Sequence, residues 1–97
     1  MSAFITITGQ KHYFGLLPFS VGTILSLRPD TDNIYDPSAI SVYVDGFEKV
    51  GYVAQSPEHR ADGTVSASSL HSGYIIPDKA IVRFIAGDYI IAEIMEV

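Results

Sequence analysis

The chain contains no cysteine. Disulfides, thiolate metal sites and a thiol nucleophile are thereby excluded. It is also poor in positive charge. Six Lys and Arg stand against eleven Asp and Glu, for a formal net charge of −5. That balance counts against broad, sequence-blind binding to a polyanion, which draws on an excess of cations. It leaves room for a small site that holds a strand end through a few contacts. Long hydrophobic runs are missing too, and the opening MSAFITITGQ has neither a basic start nor an extended apolar stretch. No signal peptide or membrane span is read, and the expected location is the cytoplasm.

What is present describes a globule. Apolar residues make up 47% of the chain and charged residues 18%, too apolar a mixture for disorder. Ninety-seven residues hold one core, so residues 1–97 are expected to form a single domain. The dominant pattern is alternation with a period of two. Ile5 and Ile7 alternate with Phe4, Thr6 and Thr8. Leu25 and Leu27 share a face with Thr23. Ile40, Val42 and Val44 oppose Ser41 and Tyr43. Six strands are predicted, at about 3–9, 21–28, 38–45, 48–54, 79–86 and 89–96. Gly87-Asp88 and Asp45-Gly46 are hairpin turns in this reading, because Gly tolerates positive φ. Ser56-Pro57 starts a short helical turn, and a short helix is expected from about Thr64 to His71, closed by Gly73. Many short strands with one or two short helices make a mainly β protein, a small β-barrel or β-roll.

Most chemistry fails on spacing. Asp30, Asp32 and Asp36 resemble a calcium loop, but Ile34, Tyr35 and Ser41 stand where a ligand, the turn glycine and the bidentate Glu belong. His12, His59 and His71 lack any helical pair spacing. The serines have no nucleophile elbow around them. No metal, no cofactor and no enzyme activity is predicted.

Two stretches stand out. GQKHYFG, Gly9 to Gly15, sets a cation among aromatic rings, the combination that single-stranded nucleic acid uses for phosphate and base. Its alternative is that Tyr13 and Phe14 anchor a loop in the core. DTDNIYDPSAISVYVDG, Asp30 to Gly46, crowds Asn33, Tyr35 and Asp36 into one corner. These residues either form Asx-type turns or mark a place where something docks.

Together these stretches resemble the HIRAN domain. The likeness covers residues 4–55 and is strongest in N-x-Y-D-x-x-A-I-x-V (Asn33, Tyr35, Asp36, Ala39, Ile40, Val42) and G-x-x-x-V-G-Y (Gly46, Val50, Gly51, Tyr52). The resemblance implies a modified OB-like barrel of about six strands. It also implies a module that captures the 3′-hydroxyl end of single-stranded DNA, as eukaryotic members do in repair and replication. Carried over by position, Lys11 matches a family arginine that meets the backbone, and His12 and Tyr13 match two tyrosines at the terminal bases. Asn33 and Asp36 match the pair at the strand end, with Asp36 accepting from the 3′-hydroxyl. Tyr52 matches a histidine lining the same pocket, and Tyr35, between the pair, has an inward alternative. The chain departs from the eukaryotic pattern at Lys11, at His12, at Gln55 where a lysine stands, and at Gly63, which shortens the helix after GYVA.

The expected partner is therefore a single-stranded DNA end, with RNA left open beside it. A second reading keeps the barrel without the ligand. It makes the domain a protein-interaction module whose apolar last strand, YIIAEIMEV, offers an edge for a homodimer.

Overall fold

The alternating segments become six antiparallel strands in a computed structural model that describes residues 3–72 and 77–95. The strands are β1 (Phe4–Thr8), β2 (Ile24–Pro29), β3 (Ile40–Tyr43), β4 (Lys49–Val53), β5 (Lys79–Ala86) and β6 (Tyr89–Ile94). They close a barrel in the order β1-β4-β3-β2-β5-β6, so the fold is mainly β, as the alternation implied. One short helix, α1 (Ala67–His71), and two 3₁₀ turns, Gln10–His12 and Pro57–His59, complete it. Among the described residues no helix is long and apolar enough to cross a membrane.

Inward-facing side chains explain the closure. Ile5, Leu25, Ile40, Val42, Val50, Val82 and Ile90 are fully buried and come from all six strands. Each contributes roughly 1.5–3 kcal/mol by leaving water. A one-residue slip in any strand would turn its share outward, so the pleat fixes the register. The β5–β6 hairpin has the predicted two-residue turn. Ala86 pairs with Tyr89, and Gly87 supplies the φ of 60°.

Several expectations are corrected. Asp45-Gly46 does turn the chain, with the Phe47 amide donating to the Val44 carbonyl at 3.0 Å and Gly46 at a φ of 86°, but the turn sits in a longer connection, because pairing of β3 with β4 ends at Tyr43 and Lys49, beside a register shift. α1 starts at Ala67 rather than Thr64. Ser66 caps it by accepting from the Ser69 amide at 3.2 Å. The predicted stop at Gly73 and the end of the last strand at 96 lie outside the described residues. Gln10–His12 is a 3₁₀ turn, although the stretch carries no helical periodicity. Thr6 is buried although its neighbours Ile5 and Ile7 face the core. Residues 61–64 cover it, with the Thr6 and Thr64 hydroxyls 2.9 Å apart. Finally, β6 pairs with β1 on one side and β5 on the other. It has no free edge, so edge-to-edge dimer formation through the last strand is ruled out in this fold.

Candidate nucleic-acid interface

Tyr52 is the centre of the site, and a break in alternation puts it there. It sits in β4 between Thr8 of β1 and Ser41 of β3. The register shift opposite Val42 and Tyr43 leaves Val50 as an extra residue. In a regular strand Lys49 and Tyr52 would face opposite ways; one extra residue puts them on the same face. Lys49 Nζ lies 4.8 Å above the Tyr52 ring centroid and donates to its hydroxyl at 3.0 Å. Asp30 completes the group, its Oδ2 lying 3.4 Å from the Tyr52 hydroxyl and 3.5 Å from Lys49 Nζ. The ring is thus held from above and at its tip.

Charge follows from this packing. The hydrogen bond to Tyr52 is the first cause that raises the Lys49 pKa, with desolvation opposing it and Asp30 adding to it. Lys49 therefore stays cationic, but it is already engaged with Asp30. Tyr13 leans on the other side, its ring centroid 6.3 Å from that of Tyr52 at an interplanar angle of 58°. Side-chain hydrogen bonding with Tyr52, then desolvation, raises the Tyr13 pKa above the ordinary tyrosine range. Tyr13 therefore stays neutral at physiological pH and presents a ring, not a charge. Gly9 starts the turn that leads to Tyr13, and its φ of 75° is a left-handed conformation that other residues rarely adopt.

The acidic corner forms the facing wall. Asn33 Oδ1 accepts from the amides of Tyr35 and Asp36, both at 2.9 Å. Asp36 Oδ1 accepts from the Ser38 amide, also at 2.9 Å. These are Asx turns, so that reading of the corner holds. The turns engage only one end of each side chain. The second Asp36 oxygen and the Asn33 amino group have no partner among the described residues. Both side chains line a pocket of about 330 Å³ with Thr8, Tyr52, Gln55 and His59. A free carboxylate oxygen, an amide donor and a ring in one hollow can accept from a hydroxyl, donate to an oxygen and stack on a base.

The six sequence-predicted residues fall into three groups. Asn33, Asp36 and Tyr52 meet in this pocket, and Tyr13 packs on Tyr52. Lys11 lines an adjoining pocket that shares Thr8 and His59 with the first. His12 is exposed and lines neither. Tyr13 and Phe14 are not core anchors, since both are exposed and Phe14 meets Phe47 edge-on at 5.1 Å. Tyr35 does not pack inward. It is 92% exposed, its amide pinned by Asn33 while its ring points away from the protein. Sequence reasoning missed Lys49, Asp30 and His59. The adjacent small apolar residues Val50 and Gly51 interrupt the alternation and were the available signal for the first of these.

A closed barrel with a ring-walled, acid-tipped pocket at its rim defines a small β-barrel binding module. The family model for the HIRAN domain matches residues 1–76, and the chain belongs to that family of nucleic-acid-binding modules. Among solved structures it is similar to the HIRAN domain of human HLTF, with 22% identity and a TM-score of 0.64 over 96% of this chain and 74% of that one. It is also similar to a protein from Lactobacillus plantarum, with 21% identity and a TM-score of 0.63 over 96% of this chain and 92% of the other. At these identities the two structures bear on the fold. Comparison with curated proteins finds no match.

Proposed function

We propose that this domain captures single-stranded DNA by its 3′-hydroxyl end. Asp36 accepts from the terminal hydroxyl, Asn33 donates to the sugar-phosphate, and Tyr52 and Tyr13 supply ring surface to the last base. Lys11 meets a backbone phosphate further along, and His12 stands near the strand as an exposed flanking side chain. One observation carries this reading: Asp36 uses a single oxygen for its own loop, keeps the other without a partner among the described residues, and lines the pocket that Tyr52 also lines. A terminal hydroxyl is a donor, whereas an internal phosphodiester offers none and a terminal phosphate is an anion. One carboxylate thus discriminates an end from a middle and rejects a phosphorylated end. Acidic net charge is compatible with such a grip, because specificity comes from the end rather than from phosphates. Tyr35, beside Asp36 and open to solvent, offers a further stacking face.

The test is binding of short single-stranded oligonucleotides that differ only in a 3′-hydroxyl or a 3′-phosphate. The hydroxyl end should bind tighter, with RNA ends run alongside. Equal affinity for both ends, or none for either, would overturn the reading.

A second reading, a protein-interaction domain, draws support from the uncharged stretch Tyr13–Leu27. There Leu17 is 78% and Val21 66% exposed. Under it, substitution of Asp36 leaves partner binding unchanged.

A further inference from the structure

We infer that the groove continues beyond the end-holding pocket into a second nucleotide subsite, one that favours a base carrying an exocyclic amino group; this rests on the end-binding reading above. The adjoining pocket, about 250 Å³, shares Thr8 and His59 with the first. Pockets with common walls are neighbours, so a strand whose last nucleotide fills one has the other within its reach. Tyr89, at the start of β6 and 45% exposed, gives the second pocket a ring. Gln10 Nε2 donates to the Asp88 carbonyl at 2.8 Å, which ties the β5–β6 turn to the 3₁₀ turn that carries Lys11. The elements bearing the ring and the cation are therefore held together before any ligand arrives.

Two carboxylates set this pocket apart. Glu58 and Asp88 line it together with Lys11 and His59. That mixture lacks the positive excess a buried phosphate needs. A carboxylate accepts and cannot donate. It suits the amino groups of cytosine and adenine, whereas thymine puts a carbonyl oxygen at the equivalent place. The base therefore enters the pocket and stacks on Tyr89. The linking phosphate stays at the rim, within reach of Lys11 and of His59, the residue common to both pockets.

The experiment uses trinucleotides with a free 3′-hydroxyl, the last residue thymidine and the one before it deoxycytidine, deoxyadenosine or thymidine. The two amino-bearing bases should bind about 5- to 10-fold tighter than thymidine. Combining Glu58→Ala with Asp88→Ala removes both side-chain acceptors and should erase that difference. Tyr89→Ala should weaken all three by about fivefold or more, and Tyr89→Phe should restore them. The ratio of 3′-hydroxyl to 3′-phosphate binding should not move in any of these variants. Equal binding of the three trinucleotides, or wild-type affinity in Tyr89→Ala, with end preference intact, refutes the subsite and leaves the end-binding reading standing. Absence of end preference in the unmodified domain overturns both.

Discussion

Asp36→Asn changes one heavy atom and removes one negative charge. The Ser38 amide, which donates to Asp36 Oδ1 at 2.9 Å, keeps its acceptor, because a carboxamide oxygen accepts as a carboxylate oxygen does. The loop should therefore fold unchanged. The second oxygen, which lacks a partner among the described residues, becomes an amino group that only donates. A 3′-hydroxyl then has no acceptor in the place where its proton pointed. A hydrogen bond to a charged group contributes about 1.5–3 kcal/mol, or about 10- to 150-fold in affinity. The pocket is open to solvent, which places the loss toward the lower bound. A 3′-phosphate, in contrast, loses a like charge at its site and gains a donor. The two ends should converge from both directions.

Fluorescence anisotropy with labelled oligonucleotides reads this directly, and the informative quantity is the ratio of the two affinities. Asp36→Ala is the companion. It also strips the Ser38 amide of its acceptor, at a cost in stability of about 1 kcal/mol. An effect of loop disorder would be large in Ala and small in Asn, whereas loss of an acceptor affects both alike. If the Asn variant keeps the wild-type ratio, the free oxygen does not meet the hydroxyl and the mechanism is wrong.

Two further outcomes concern stability. The raised pKa values of Lys49 and Tyr13 mean that the folded state holds protons the unfolded chain has already lost once pH exceeds about 10. Stability should be fully present below that pH and fall as pH rises above it. Melting temperature should show this, with a shallower fall in Tyr52→Phe, and identical alkaline profiles for the two proteins would refute it. Gly51→Ala should destabilise by about 1–3 kcal/mol, because a Cβ there would stand 2.8 Å from the Thr8 carbonyl oxygen and 3.1 Å from Ile7 Cγ2. An unchanged denaturation midpoint would show that β1 gives way freely.

Strand positions were readable because each inward residue is excluded from water by the closed barrel, and a period of two records that directly. The same pattern misjudged Thr6, since alternation tells which face a residue takes and not what later covers that face. Covering came from residues 61–64, a segment without periodicity. Lys49 was invisible for a related reason. Its partnership with Tyr52 depends on one extra residue in β4, and a bulge leaves only a small blemish, Val50 next to Gly51, in the sequence. The acidic corner posed a choice between turn and ligand that the folded chain does not force. Asn33 and Asp36 each have two hydrogen-bonding ends, and the Asx turns occupy one of them. The turns hold both side chains, which line the pocket, and so reduce the rotamer freedom that binding would cost. On the end-binding proposal, turn geometry is the means by which a short loop presents an acceptor in a fixed place. An acidic domain whose wall lysine is engaged with Asp30 has little long-range attraction to offer, so on that proposal the selectivity comes from the Asp36 acceptor and the rings beside it.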